Sequence, residues 1–325
     1  MQQRRANLKG KDEQSMEVDI NDICLQKGVM LKGRYEVKSA ISVSDLSIVY
    51  KGYDYVRGIE CVIKEYYPKG KVLRDMDGKT VVFKMPSFRH KYDEELNIFL
   101  NEGSVLRKLK HKNILKCIDY FAENDTGYII TEFCEGKTLD QYIKEERDFL
   151  ISGQFKKICI PFVKTVNYIH KKGIIHRDIK PKNIIVNKNL GPVIIDFGSA
   201  CINKKGVKKR ISYTPGYSPL EFYSDKSNQG KYSDVYSVAA TLYFYLCGKP
   251  PEKVTDRVIE DKIEDIGKYN KDISKLFSKT IMKNLSVDYK KRFSSLRLFI
   301  LIMYMEYIHL RRNDRKAVAP NVDTE

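Results

Sequence analysis

The sequence lacks three features that mark secreted or membrane-spanning proteins. Its seven cysteines are scattered and never form a C-x-x-C pair, which argues against a disulfide framework and a zinc site. Residues 1–14 contain no apolar core that could act as a signal peptide. The longest apolar run, LFILIMYMEYI at 298–308, is shorter than a bilayer requires and contains Glu306, so we expect a buried helix there. These absences predict a cytoplasmic protein without a transmembrane segment.

The sequence is rich in positive charge but has no pattern typical of nucleic-acid binding. The net charge is +17, and 42% of the residues are hydrophobic, which is enough to form a globular core. There is no basic array interleaved with aromatic residues and no zinc-finger spacing. We therefore interpret the charge as a lysine-rich, solvated surface and do not expect nucleic acid as a principal partner.

The first half of the chain is predicted to form a small sheet with one main helix. Three short β-rich runs between residues 35 and 66 indicate an antiparallel meander. An Asp-Gly pair at 77–78 indicates an extra hairpin within an insertion at about 68–92. An amphipathic pattern then predicts a helix over 94–110, and the NDTG turn joins two further strands.

Beyond Gly136 the pattern changes to long helices, so the fold class is α+β. We predict a β-rich lobe and a larger helical lobe. The predicted segments are a polar, largely flexible leader at 1–30, which becomes ordered near Ile23, the two lobes at 31–134 and 135–310, and a basic and polar tail at 311–325.

The run HRDIKPKNIIVNKNLGPVIIDFG at 176–198 carries the most specific chemistry. Two β-branched runs, 184–186 and 193–195, flank the turn-forming NKNLG and predict a hairpin. This hairpin would bring Asn183 beside Asp196, although the two are distant in sequence. Hard oxygen ligands of this kind suit Mg²⁺, which shares its coordination between a few side chains, waters and phosphate oxygens.

Residues 34 to about 308 resemble a eukaryotic-type serine/threonine protein kinase domain with its bilobal fold. The resemblance rests on ordered motifs: VIK at 62–64, Glu102 in a helix, HRDIKPKN at 176–183, DFG at 196–198, SPLE at 218–221, SDVYS at 233–237 and KKR at 290–292. The run LQKGVMLKGRYEV and the insertion after KEYYP look most like the bacterial branch of this family. Such proteins signal in the cytosol or are delivered into host cells, and the sequence does not separate the two.

The resemblance implies the roles of the catalytic and metal-binding residues. Lys64 would hold the α- and β-phosphates of ATP and pair with Glu102. Asp178 would accept or orient the proton of the attacking substrate hydroxyl, and Lys180 would reach the γ-phosphate as a second cation. Asn183 and Asp196 would hold Mg²⁺. Lys180 favours serine or threonine over tyrosine as the acceptor.

The resemblance also implies an adenine site. Thr131 would be the gatekeeper, and Glu132, Phe133 and Cys134 would form the hinge. The adenine ring would lie between three apolar side chains, Val49, Val62 and Ile185. Val62 replaces the smaller alanine that is usual before the Ile-Lys pair, which narrows the roof of this site.

The glycine-rich loop of the family is missing. Ser42, Ser44 and Ser47 stand where three glycines are expected. Because glycine permits close backbone approach to phosphate, three serines predict a stiffer and bulkier loop, whose hydroxyls could themselves donate to phosphate oxygens.

The segment from Asp196 to Glu221 would be the activation loop. Ser212 is the preferred site of phosphorylation, and Arg177 would receive a phosphate there. Thr214 is expected to contact the catalytic loop. A basic cluster in the loop, together with Lys182, predicts a preference for acidic over basic substrate peptides. Its members are Lys204, Lys205, Lys208, Lys209 and Arg210.

Several matching residues are expected to be scaffold. Glu221 and Arg292 should form a buried ion pair, Asp234 should anchor the helical lobe, and His176 should be a packed residue and no general base.

The sequence therefore predicts a kinase that transfers the γ-phosphate of Mg-ATP to a protein serine or threonine and autophosphorylates on the activation loop. Two alternatives stay open. The missing glycines would suit a pseudokinase acting as a nucleotide-binding interaction module. A small-molecule kinase of the aminoglycoside type would share the two lobes, but it would not be expected to combine HRDIKPKN, SPLE and a long basic loop.

Overall fold

The computed structural model describes residues 20–145, 151–202, 213–224 and 226–318. By compactness these residues form two units. The first holds the described residues up to Leu96 together with Phe121–Tyr128, and the second holds Asn97–Tyr120 together with the described residues from Ile129 onward. This division assigns 97–120 to the second unit, whereas the sequence places the lobe boundary near 134; that boundary stays a prediction.

The first unit is built on an antiparallel sheet. A short helix, α1 (Ile20–Ile23), precedes it. The strands are β1 (Met30–Leu31), β2 (Tyr35–Val43), β3 (Ser47–Asp54), β4 (Ile59–Tyr66), β5 (Val72–Arg74), β6 (Val81–Phe83), β7 (Cys117–Glu123) and β8 (Thr126–Glu132). The six-stranded sheet has the order β1-β2-β3-β4-β8-β7, and β7 and β8 belong to this unit with residues Phe121–Tyr128. The predicted meander is confirmed as β2, β3 and β4.

The two faces of β3 and β4 differ because side chains alternate along a strand. Ile48, Tyr50, Cys61 and Ile63 are fully buried on one face. The other face is half-buried, and it carries Lys64 directly opposite Val49 and Val62 directly opposite Lys51. Val49, Val62 and Lys64, three of the residues predicted to hold the nucleotide, therefore lie on the half-buried face of these strands.

The insertion predicted at about 68–92 contains the hairpin that its Asp-Gly pair indicates. β5 and β6 pair antiparallel, with Arg74 opposite Val81. Gly78 closes the turn at a φ of 69°, a conformation that glycine adopts without steric cost. The helix after it, α2 (Arg89–Lys108), begins five residues before the predicted start.

A buried ion pair connects this hairpin to β4 and to the N-terminal segment. We call Glu65, Arg74, Tyr50 and Tyr128 the Glu65 cluster. The Glu65 side chain is fully buried and accepts hydrogen bonds from both tyrosine hydroxyls, at 2.7 and 3.1 Å. Arg74 donates to both Glu65 carboxylate oxygens at 2.7 Å and to the carbonyl of Ile23. The end of the predicted leader is thus fixed by a side chain of the insertion.

The second unit is mainly helical. Its further helices are α3 (Leu139–Glu145), α4 (Ile151–Gln154), α5 (Ile160–Lys171), α6 (Lys231–Cys247), α7 (Val254–Ile259), α8 (Lys275–Asn284) and α9 (Leu296–Val318). Its short strands are β9 (Gly136–Thr138), β10 (Ile174–Ile175), β11 (Ile184–Asn187), β12 (Pro192–Ile194) and β13 (Cys201–Ile202). A π-helical turn, Phe155–Cys159, joins α4 to α5 just before Pro161, whose missing N–H interrupts the regular ladder.

Two glycines explain local packing in this unit. A Cβ at Gly103 of α2 would lie 2.6 Å from the Tyr120 Cβ, so glycine allows the helix to approach β7 closely. Gly248 ends α6 at a φ of 75°, in the left-handed conformation that caps helices.

The apolar run at 298–308 is helical, but the expectation that it is buried is wrong for one of its faces. Phe299 and Met303 are fully buried, whereas Leu298, Leu301 and Ile308 are each about half exposed. Glu306 points inward, where its carboxylate accepts hydrogen bonds from the backbone N–H and the hydroxyl of Ser274. Among the described residues, no helix has both the length and the apolar character needed to span a bilayer.

Candidate active site

The side chains of the HRDIKPKN run surround one carboxylate. Lys180 Nζ lies 2.9 Å from Asp178 Oδ2, and Asn183 Nδ2 donates to the same oxygen at 2.9 Å. Thr214 Oγ1 contacts Asp178 Oδ1 at 3.5 Å and also accepts a hydrogen bond from Lys180 at 3.1 Å. The Asp178 side chain is 12% exposed. One carboxylate is therefore held in a fixed orientation by an ammonium, an amide and a hydroxyl, while part of it remains open to solvent.

The predicted hairpin places Asn183 near Asp196 along the backbone. β11 and β12 pair antiparallel with Ile184 opposite Ile194, which confirms the hairpin. The Ile195 N–H donates to the Asn183 carbonyl at 3.0 Å, so Asp196 follows directly after the residue that pairs with Asn183. The Asn183 amide nitrogen is used toward Asp178, and its Oδ1 is the atom that remains to act as an acceptor or ligand.

Asp196 itself has an unusual backbone. Its φ is 58°, in the left-handed region that costs a non-glycine residue energy. Arg177 has a φ of 67°. Such strain persists only where the surroundings enforce it. Arg177 directly precedes Asp178 in the chain, and Asp196 is the first residue of the DFG motif.

Glu102 contacts the start of the DFG segment within the second unit. Its carboxylate Oε1 accepts a hydrogen bond from the Phe197 N–H at 3.2 Å. A Cβ added at Gly198 would lie 3.3 Å from Glu102 Oε2, so glycine leaves room for this approach. Glu102 is only 5% exposed. Lys64, its predicted partner, is on β4 of the first unit, and their pairing stays a prediction.

A second carboxylate, Asp234 at the start of α6, organises the backbone beneath the site. It accepts hydrogen bonds from the His176 and Arg177 N–H groups, both at 2.8 Å, and lies 2.7 Å from His170 Nε2. Burial opposes its ionisation, but the hydrogen bond from His170 and the charges and N–H groups around it hold the pKa of Asp234 below its usual value.

His176 behaves as a packed residue. Burial lowers its pKa, and its Nδ1 accepts a hydrogen bond from the Asp178 N–H at 3.3 Å, which requires a neutral ring. The ring lies 4.6 Å from that of Phe197, centroid to centroid. These contacts favour the scaffold role that the sequence indicates.

The serines of the missing glycine loop bond to each other in the turn between β2 and β3. The Ser44 hydroxyl contacts the Ser47 carbonyl at 2.9 Å and the Ser47 hydroxyl at 3.1 Å, and it accepts a hydrogen bond from the Ser47 N–H at 3.1 Å. Ser42 lies opposite Val49 in the β2–β3 register. The Ser44 and Ser47 hydroxyls, two of the three that could donate to phosphate oxygens, are therefore hydrogen-bonded within the turn.

The predicted hinge residues lie at the end of β8. The Glu132 N–H donates to the Lys116 carbonyl at 3.0 Å. The Thr131 hydroxyl is buried and has no hydrogen-bond partner among the described residues. Burial raises the pKa of the Cys134 thiol. Ile185 lies on β11, opposite Thr138 and Val193.

The predicted ion pair between Glu221 and Arg292 is confirmed. Arg292 Nη1 lies 2.7 Å from Glu221 Oε1, and Nη2 donates to Oε2 at 3.2 Å. Both side chains are buried, and Arg292 also donates to the carbonyls of Ser286 and Val287.

Two predictions for the activation loop lie outside the described residues. They are Ser212 as the phosphorylation site and the basic cluster at 204–210; Lys182, assigned to the same cluster, is exposed. Thr214, by contrast, does contact the catalytic loop as expected. The Glu65 cluster, with Arg74, is what sequence reasoning missed, because no local pattern links Glu65 with an arginine from an insertion.

The chain belongs to the protein kinase domain family, which matches residues 69–305. It is 33% identical over 236 residues to the probable serine/threonine-protein kinase nek2 of Dictyostelium discoideum, covering 68% of this chain and 56% of that one. It is 26% identical over 284 residues to a probable serine/threonine-protein kinase of Clostridium acetobutylicum, covering 82% and 39%.

Among solved structures, the chain is similar to the apo form of PpkA-294, with a TM-score of 0.74 and 26% identity over 87% of this chain and 99% of that one. These findings confirm the kinase-like fold class and the resemblance to serine/threonine protein kinases. The chain spans little more than half of one of these curated relatives and about two fifths of the other.

Proposed function

We propose that the chain transfers the γ-phosphate of ATP to a serine or threonine hydroxyl of a protein. The observation that carries this proposal is the fixed Asp178 carboxylate, held by Lys180, Asn183 and Thr214 and still partly open to solvent. A carboxylate fixed in this way can accept the proton of an incoming hydroxyl without reorganising during the reaction.

Asp178 and Lys180 have different roles toward the substrate hydroxyl and the transferred phosphoryl group. Asp178 orients the substrate hydroxyl and takes its proton as the oxygen attacks phosphorus. Lys180, which already lies 2.9 Å from that carboxylate, places a cation where negative charge builds up on the transferring group. Thr214 fixes both side chains from the far end of the activation loop.

The residues present fit a Mg²⁺ ion shared with phosphate. The hydrogen bonds from Asn183 to Asp178 use its Nδ2, which leaves its amide oxygen to act as a ligand, and Asp196 supplies a carboxylate; both are hard oxygen ligands. Mg²⁺ typically takes few protein ligands and fills its other positions with waters and phosphate oxygens. Bound there, the ion would neutralise charge on the phosphates.

The remaining assignments for ATP follow the same reasoning. Lys64 would hold the phosphates with Glu102 behind it. The buried Thr131 hydroxyl, which has no hydrogen-bond partner among the described residues, suits a polar ring edge such as that of adenine. Autophosphorylation on Ser212 and a cytoplasmic location are part of the proposal.

The pseudokinase alternative rests on the serines that replace the glycine loop. It is disfavoured because every group that phosphoryl transfer needs in the second unit is present and the Asp178 contacts are formed. Incubation with γ-labelled ATP, with the chain itself, a Ser/Thr peptide library and, separately, an aminoglycoside as acceptors, separates the alternatives.

Asp178→Asn should lower incorporation of label by about 10²–10⁴-fold, as expected for loss of a general base. Asp272→Asn, the same change at an exposed residue outside the site, is the matched control and should incorporate as the wild type does. Equal incorporation by wild type and Asp178→Asn would end the proposal. Phosphate found only on a small-molecule acceptor would favour the aminoglycoside-type alternative.

A further inference from the structure

The outer face of α9 is apolar in the middle and basic at both ends. Five of the twenty large hydrophobic side chains that are exposed among the described residues lie on this one helix. We call them, with the arginines beside them, the α9 face. Its members are Arg297, Leu298, Leu301, Tyr304, Met305, Ile308, Arg311, Arg312 and Arg315.

These positions form one continuous stripe. Their spacing of three and four residues places them on the same side of a helix. The apolar part, from Leu298 to Ile308, is about 15 Å long at the rise of an α-helix. The opposite side of α9 is held in the core, where Phe299, Met303 and Leu310 are almost completely buried. The helix thus presents its outer face on a rigid base.

The α9 face contains no acidic side chain among its described residues. The two acids of the helix, Glu306 and Asp314, are buried and half-buried on other sides. Two lysines lie beside α9, Lys164 on α5 and Lys156 in the π-helical turn before it. Lys164 Nζ lies 3.5 Å from the Tyr304 hydroxyl, and Lys156 Nζ lies 5.4 Å from the centre of the Tyr307 ring. The surface combines apolar side chains with positive charge alone.

We propose that the α9 face docks the protein on the surface of an anionic phospholipid bilayer. Helices that lie in the membrane interface carry apolar residues on one side and Lys or Arg at its borders, and anionic lipids attract such borders. Leu298, Leu301 and Ile308 would enter the headgroup boundary, and the arginines at the two ends would contact lipid phosphates.

Charge disfavours a second copy of the chain as the occupant of this face. In an antiparallel pair of α9 helices, Arg297 of one copy would lie near Arg311 and Arg312 of the other. In a parallel pair, each arginine would lie near its own equivalent. Both arrangements bring like charges together at an interface that is meant to exclude water.

Binding to vesicles tests the proposal directly. The full chain should float with vesicles of phosphatidylcholine mixed with phosphatidylglycerol, less so as sodium chloride is raised, and not with phosphatidylcholine alone. Arg311→Gln with Arg312→Gln should weaken binding by about 30-fold, because each basic residue near an anionic surface contributes about a factor of five. Lys79→Gln with Lys271→Gln, two exposed lysines outside α9, is the matched charge control and should bind as the wild type does.

The apolar part is tested with Leu301→Gln and Ile308→Gln together, which should weaken binding about ten-fold or more. Unchanged binding of this variant overturns the proposal, since it would leave only nonspecific attraction of a basic protein. A thermal melt of each variant establishes that it is folded.

A fluorescent probe gives an independent measurement. The chain has no tryptophan, so Tyr304→Trp introduces a single one on the α9 face. Its emission should shift to the blue with anionic vesicles. Tyr269→Trp, at a residue of similar exposure outside the helix, should not shift. Equal shifts at both sites, no shift at Tyr304→Trp, or a concentration-dependent dimer in light scattering that the Leu301 and Ile308 changes abolish would each overturn the proposal.

Discussion

The Glu65 cluster should be the point at which the first unit is most easily destabilised. Among the described residues, Arg74→Leu leaves the fully buried Glu65 carboxylate with only the hydroxyls of Tyr50 and Tyr128 as partners. Removing one partner of a buried ion pair typically costs about 3–5 kcal/mol, because the remaining charge is no longer compensated. We expect the free energy of unfolding of this unit to fall by about that amount.

The same change removes hydrogen bonds that connect separate segments. Arg74 donates to the Ile23 carbonyl at 2.7 Å and to the Lys79 carbonyl at 2.8 Å. Without it, the backbone around Ile23 keeps the hydrogen bond from the Leu25 N–H to the Tyr50 hydroxyl at 3.0 Å but loses the bond that Arg74 makes from the β5–β6 hairpin. Hydrogen exchange followed by mass spectrometry should therefore show faster exchange in peptides covering 20–31 and 71–84, together with the lower urea midpoint.

Two further variants test the reasoning. Glu65→Leu combined with Arg74→Leu should cost less than Arg74→Leu alone, since no charge is then left buried. Arg57→Leu, at an arginine 41% exposed and 3.9 Å from Asp54, should change stability by no more than about 0.5 kcal/mol. A loss below about 1 kcal/mol for Arg74→Leu, or a double variant less stable than the single one, would refute the account.

Three more outcomes are expected. Arg292→Leu should lower the free energy of unfolding by about 3–5 kcal/mol in urea titrations, because Glu221 would stay buried without its cation; a cost under about 1 kcal/mol would contradict this. The lowered pKa of His176 means that the unfolded chain binds its proton first, so stability should fall as pH drops below about 6.5, by up to about 1.4 kcal/mol per pH unit, and His176→Leu should flatten that part of the profile. Ser44→Gly with Ser47→Gly should open the β2–β3 turn and lower the KM for ATP; an unchanged or higher KM would show that the serine contacts do not limit phosphate access.

Much of the site could be predicted because its geometry is local. The β-branched residues and the NKNLG turn determine the hairpin of β11 and β12, and the hairpin alone brings Asn183 and Asp196 to adjacent positions. The Glu221–Arg292 pair is not local, and only the resemblance to a family indicated it. The family match begins at residue 69, so the residues assigned on β3 and β4, Lys64 among them, depend on the strand pattern and the structural similarity.

The missed features depend on the register of strands and on the direction in which side chains point. Amino-acid composition reveals neither. Glu65 points away from the Lys64 face because side chains alternate along β4, and its partner comes from an insertion. The run at 298–308 predicts a buried helix because every residue in it but one is apolar or aromatic. The structure shows that hydrophobicity alone does not say how many sides of a helix are covered: Met303 is buried and Met305 is half exposed.

The backbone of Asp196 also has an evolutionary consequence. At a φ of 58°, glycine would fit this position with less strain, by about 1–2 kcal/mol. Selection for a more stable fold would then favour glycine at this position, while selection for phosphate transfer would retain aspartate. A lineage that no longer needed phosphate transfer should lose the Asp196 side chain early, and the stability of its fold should increase.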